Sequence, residues 1–81
     1  MTQEYLSYLE GVRRYSPRTL AVYREVLESY FGYADAVTTT DIRNYEVHLL
    51  DEMGMSAKTV SLHLSVLSGY CRFLVKQGRM E

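Results

Sequence analysis

Between Glu52 and Glu81 the chain carries no acidic residue, and within that span Lys58, Ser61, Ser65, Ser68, Arg72 and Lys76 follow one another at spacings of three, four, three, four and four. On a helix this spacing lines residues up along a single stripe, here one of cations and hydroxyls without an opposing charge. Lysine and arginine meet phosphates as charge, and small hydroxyls allow close approach while donating to phosphates or base edges. The chemistry this stripe offers is therefore groove docking on nucleic acid. A solvated face that happens to lack acids has the same composition, and the stripe alone does not separate the two.

Covalent and metal chemistry find less support. The eight tyrosines offer phenols, but a nucleophilic tyrosine needs activating cations and a bound phosphate around it. Tyr5, Tyr23, Tyr30, Tyr45 and Tyr70 instead fall on apolar helical rows, as half-buried rings with wet hydroxyls would. His48 and His63 are expected on different helices, without a Cys, His or carboxylate at metal-ligand spacing, so no metal or other cofactor is expected. His63 lies between the stripe and the apolar rows, where it can donate to DNA or cap a small polar pocket, and of the two the surface position is expected. No nucleophile–base pair or carboxylate pair can be placed, so the chain is not expected to be an enzyme by itself.

The elements that must position the stripe are helical throughout. Apolar residues recur at helical spacing, with no sustained alternation and no Asn-Gly or Asp-Gly hairpin signal. Eighty-one residues make one domain with one core, and the expectation is an all-α, compact four-helix orthogonal bundle. The first helix runs from Thr2 to Arg14, with Tyr5, Leu6, Leu9 and Val12 inward and Gly11 weakening its end. Ser16 caps the second, Pro17 takes its first position, and Leu20, Tyr23, Val26, Leu27, Tyr30 and Phe31 form its apolar face to about Tyr33. Thr38 and Asp41 open the third as a capping box, Ile42, Tyr45, Leu49 and Met53 give its spacing, and Gly54 stops it. Ser56 caps the fourth and Gly78 ends it. Its apolar rows are Val60, Leu64, Leu67, Cys71 and Leu74, beside Leu62, Val66, Gly69 and Phe73. Tyr15 with Leu20, Val37 with Ile42 and Met55 with Val60 stand where hydrophobic staples form.

An echo at an offset of forty joins Ser16-Pro17-Arg18-Thr19-Leu20 to Ser56-Ala57-Lys58-Thr59-Val60, and Val26-Leu27 and Tyr30 to Val66-Leu67 and Tyr70. It reads as two similar helix starts rather than a solenoid, which needs three or more repeats. Both starts place Ser, a cation and Thr within one turn at a helix N-terminus, where free N–H groups and the dipole attract phosphate. Capping alone accounts for both serines, but not for Arg18 and Lys58 in equivalent places.

The net charge of −1 and pI near 6.1 exclude binding by bulk charge, since nucleic-acid domains of that kind usually lie above about pI 9. Any affinity belongs to one face. No apolar run approaches the roughly twenty residues that span a bilayer, the N-terminus lacks the form of a signal peptide, and the lone Cys71 can make no intramolecular disulfide. A cytoplasmic setting fits, with neither a membrane nor a small-molecule substrate expected as partner.

Four elements in order are Tyr5-Leu6…Leu9, Ser16-Pro17-Arg18-Thr19…Tyr23, Thr38-Thr39-Thr40-Asp41-Ile42-Arg43-Asn44-Tyr45, and Ser56-Ala57-Lys58-Thr59-Val60 through Leu64-Ser65-Val66-Leu67, Tyr70, Phe73-Leu74 and Gly78. Over nearly the whole chain this resembles the N-terminal core-binding domain of tyrosine recombinases, the phage-integrase family, also called the SAM-like integrase domain. The resemblance implies one jaw of a clamp that closes on double-stranded DNA at a recombination site, with the second and fourth helices facing the duplex and other recombinase protomers as partners. It carries over to Arg18, Thr19, Lys58, Thr59, Ser61, His63, Ser65, Ser68 and Arg72, to which the stripe adds Lys76. Many members carry arginine where Leu62 and Ser68 stand here, so fewer cations face outward in this chain. The family's catalytic arginines, lysine, histidines and tyrosine nucleophile belong to a separate second domain, and Glu81 is expected to be a boundary before it. The alternative is a small helical protein-interaction or oligomerisation module, with Tyr8, Tyr33 and Met80 left over from the core.

Overall fold

The computed structural model describes residues 2–79, and among them there are four α-helices and no strand. They are α1 (Thr2–Gly11), α2 (Pro17–Tyr33), α3 (Thr39–Val47), which runs on into a π-helical segment (His48–Glu52), and α4 (Ala57–Lys76). The chain is all-α, as its periodicity requires.

The helix starts are made by the residues whose side chains can make them. Ser16 Oγ accepts from the Thr19 N–H and Ser56 Oγ from the Thr59 N–H, at 3.2 and 3.3 Å. Each satisfies a donor that has no partner in the first turn. Thr38 Oγ1 accepts from the Asp41 N–H at 3.0 Å and donates to the Asp41 carboxylate at 2.8 Å. α4 ends in a Schellman turn: Gly78 is left-handed at φ 70°, Gly78 N–H bonds Val75 O, and Arg79 N–H bonds Leu74 O.

Packing corrects several inward assignments. α1 ends at Gly11 rather than Arg14, so Val12 lies past the last turn and is exposed. The third helix widens into the π-helical segment, where Met53 N–H reaches back to His48 O at 3.1 Å. The added rotation keeps Leu49 buried and leaves Leu50 and Met53 exposed. On α4 the centre of the buried face is Val60, His63, Leu67, Tyr70 and Leu74, flanked by Val66 and Phe73. Leu64 and Cys71 are half-buried at its edge, and Leu62 is exposed. The six staple residues are all buried or half-buried in the core.

The echo at forty extends well beyond the helix starts, into two helical hairpins, α1–α2 and α3–α4, that close and pack alike. Arg13 N–H bonds Tyr8 O and Tyr15 N–H bonds Leu9 O in the first; Met53 N–H bonds His48 O and Met55 N–H bonds Leu49 O in the second. A left-handed residue stands at the same point of each, Arg14 at φ 58° and Gly54 at φ 63°. The contacts between hairpins are reciprocal, as across a two-fold. Tyr5 packs on Tyr70 and Phe73 with ring centroids 5.3 and 5.1 Å apart, and Tyr45 packs on Tyr30 and Tyr33 at 5.1 and 5.4 Å. The Tyr5 hydroxyl lies against position 69 and the Tyr45 hydroxyl against position 29. Polar contacts are repeated less faithfully. Tyr30 Oη donates to Ala36 O at 2.6 Å, where the chain has left α2, but α4 continues to Lys76 and the buried Tyr70 Oη has no partner.

Candidate nucleic-acid interface

α4 presents its stripe opposite the core. Lys58, Ser61, Ser65, Ser68, Arg72 and Lys76 are all exposed, and at ~1.5 Å per residue they extend over about 27 Å. Arg18 and Thr59 are exposed and Thr19 is half-buried. Both threonine hydroxyls accept from the capping serine, at 3.1 Å in each helix, which fixes the two starts in the same form. The acids lie off this helix: α3 and its π-helical extension carry Asp41, Glu46, Asp51 and Glu52 against the single cation Arg43, and α1 and α2 carry Glu4, Glu10, Glu25 and Glu28.

His63 does not belong to this face. It is 8% exposed, and its Nδ1 lies 3.2 Å from Tyr45 Oη, which is 2.9 Å from Ser29 Oγ. Burial pushes its pKa down against a smaller upward pull from Glu25. The neutral ring that results can accept from Tyr45 while Tyr45 accepts from Ser29. A histidine is tolerated on the core row because a tyrosine from α3 supplies its partner.

A cleft flanks the stripe where α4 meets α1 and the start of α2. It has a volume of about 120 Å³, and Ser65, Arg72 and Lys76 from the stripe line it together with Arg13, Tyr5, Tyr15 and Tyr23. Gly69 forms part of its wall, and a Cβ there would stand 2.7 Å from Tyr5 Oη. Burial raises the Tyr5 pKa to about 12, and the neighbouring Tyr23 and Tyr15 add to this against the pull of Arg72 and Arg13. The phenol therefore stays protonated and can donate. Nothing in the sequence joins Arg13, at the end of the first helical stretch, to the stripe on α4. Its meeting with Arg72 is tertiary, and the only sequence trace is that Arg13, Arg72 and Lys76 break the echo, standing opposite Met53, Gly32 and Ala36.

Among the described residues no cluster of His, Cys, Asp and Glu is placed to hold a metal ion. No helix there is long and apolar enough to cross a membrane.

The fold, its caps and its exposed basic helix define a class, and comparison with known proteins agrees. The family model described as "Phage integrase, N-terminal SAM-like domain" matches residues 2–78, and the chain belongs to that family. It is similar to Tyrosine recombinase XerC of Chlorobaculum parvum, with 28% identity over 98% of this chain and 27% of the relative. It is also similar to Tyrosine recombinase XerD of Oceanobacillus iheyensis, with 26% identity over 93% of this chain and 28% of the relative. A XerC of Lactobacillus delbrueckii subsp. bulgaricus is 29% identical over 100% of this chain and 30% of its own length. The chain thus spans less than a third of these relatives and matches their N-terminal domain alone. No solved structure matches it with significance.

Proposed function

We propose that this chain is the DNA-binding clamp domain of a site-specific tyrosine recombinase, docking on duplex DNA through the α4 stripe and the capped start of α2. The observation that carries the reading is the exposed, acid-free face of α4 in a chain whose net charge is −1. Lys58, Arg72 and Lys76 meet phosphates along the strand, Ser61, Ser65 and Ser68 permit close approach, and Arg18 and Thr19 provide a second hold. The acids of α3 orient the domain by repulsion, so that one face meets the duplex. Strand breakage and rejoining belong to the catalytic domain of such a recombinase, and its other protomers on the same DNA are the natural protein partners.

The test is the double variant Lys58→Glu with Arg72→Glu, made on exposed positions so that the fold is kept. Duplex binding is expected to vanish at low salt, and a folded double variant that binds as before overturns the reading. With three to five phosphates neutralised, log K against log salt has a slope of about −3 to −4.5. Amide shifts on adding duplex are expected at Arg18, Thr19 and from Lys58 to Lys76.

A protein-interaction role has its own observation. Val47, Leu50 and Met53 are exposed along the π-helical segment beside the exposed Tyr33, whereas Tyr8 is absorbed by packing on Phe73 at 5.2 Å. Met80 lies outside the described residues. Self-association through that patch predicts a sedimentation coefficient that rises with concentration, and a strictly monomeric profile removes it.

A further inference from the structure

The two hairpins create two equivalent clefts with different chemistry. Beside α2 lies the counterpart of the basic cleft, lined by Glu25, Ser29, Met55 and His63, the equivalents of Ser65, Gly69, Tyr15 and Tyr23. In that counterpart, a cleft of about 270 Å³, Ser29 and His63 of the lining are hydrogen-bonded to Tyr45, and the Glu25 carboxylate stands beside them. In the basic cleft the set is dismantled. Glycine replaces the serine, the carboxylate is replaced by Ser65, and Arg13, Arg72 and Lys76 line the opening.

Tyr5 is 4% exposed, and its hydroxyl, equivalent to the Tyr45 hydroxyl that has two partners, lies beside Gly69 in the lining of the cleft. Among the described residues these three cations are in no ion pair. The ion pairs among the described residues are His48–Glu52 and Arg79–Glu4, and no carboxylate lines this cleft. Three like charges about one small space repel, and an anion between them relieves that repulsion. The volume of about 120 Å³ is ample for a tetrahedral oxyanion, since a single water needs only about 10–15 Å³ of such space.

We propose that this cleft seats one phosphate-class oxyanion, with Arg13, Arg72 and Lys76 supplying charge and the Tyr5 and Ser65 hydroxyls donating to its oxygens. Guanidinium groups suit such an ion because they can present paired N–H donors to two of its oxygens. Since Ser65, Arg72 and Lys76 also belong to the α4 stripe, the proposal deepens the DNA reading, in which the oxyanion is a backbone phosphate. The cleft itself requires only phosphate chemistry, which free phosphate also has.

The experiment follows amide shifts of the labelled 81-residue chain with sodium phosphate, with sodium chloride at equal ionic strength, and with a short mixed-sequence duplex. Phosphate and not chloride is expected to move Arg13, Gly69 and Arg72 saturably. Arg13→Gln, at an exposed position in no ion pair, is expected to weaken phosphate about tenfold or more. The same substitution is expected to reduce the duplex salt slope by about 0.9. If phosphate does no more than chloride and Arg13→Gln leaves the slope unchanged, the proposal is overturned. If the duplex moves Lys58 to Ser61 in that same case, the DNA reading stands without the cleft. If phosphate saturates the cleft while no duplex binds, the cleft stands as a site for the free ion and the DNA reading falls.

Discussion

The hairpins α1–α2 and α3–α4 share loop bonds, capping geometry and aromatic neighbours, yet of the two equivalent clefts between them one carries the hydrogen-bonded set Ser29, Tyr45 and His63 beside Glu25 and the other carries Arg13, Arg72 and Lys76. Backbone closure and ring packing tolerate little variation because they set the helix positions. The side chains that fill the spaces between helices do not, and that is where the two halves diverge. Within one small fold, the shared features are those that hold the helices and the unshared ones are those offered to a ligand.

The largest effect on stability is expected where the equivalence is broken most sharply. Tyr45→Phe removes a hydroxyl with two partners and strands the buried His63 Nδ1, at a cost of about 1–3 kcal/mol. Tyr5→Phe removes its counterpart, which faces the open cleft, and is expected to change stability by less than ~0.5 kcal/mol. Urea denaturation of both variants measures the difference, and equal costs would show that the two hydroxyls are held alike.

Gly69→Ala comes next. Alanine improves the helix by about 1 kcal/mol, but its Cβ would meet Tyr5 Oη at 2.7 Å, and overpacking of this kind costs roughly 1–3 kcal/mol. The net is a loss of about 1 kcal/mol that Tyr5→Phe rescues, so the double variant should be more stable than Gly69→Ala alone. Additive losses would remove the steric account.

A smaller effect, of opposite sign, lies in the loops. Arg14 adopts at φ 58° the conformation that Gly54 adopts at φ 63°, and a side chain there is strained. Arg14→Gly is expected to stabilise by roughly 0.5–1 kcal/mol, within the range known for matching residue to backbone. A lower urea midpoint would contradict this.

The smallest effect is a pH dependence tied to His63. Its folded pKa lies below the ordinary 6.5 through burial, so as pH falls the unfolded chain takes up the proton first. The stability contribution is complete above about pH 6.5 and is lost below it. His63→Gln is expected to flatten that part of the profile between neutral pH and the onset of carboxylate titration.

Local chemistry made much of this readable from the chain. Ser16, Thr38 and Ser56 announce helix starts because capping involves only neighbours, and Gly54 and Gly78 announce stops because few other residues accept their backbone. The core was readable in outline but rotated on α4. Whether Leu64 or His63 points to the centre is decided by what stands opposite, and Tyr45 is eighteen residues from His63. Arg14 gave no signal as a left-handed residue, since the sequence marks such sites through glycine. The cleft was hidden for a similar reason: Arg13 and Arg72 are far apart in the chain and meet only after four helices have packed. The stripe was visible throughout because one helix carries all of it.

The ion pair between Arg79 Nη1 and Glu4 Oε2, 2.9 Å long across 75 residues of chain, brings the start of α1 beside the last turn of α4. A short linker can therefore join these ends while the chain is opened at the exposed Asp35–Ala36 turn. The result is a circular permutant in the order α3, α4, α1, α2. Because each hairpin contacts the other as it is itself contacted, the permutant keeps the same aromatic neighbours and the same basic cleft, with what was the second half of the molecule now made first.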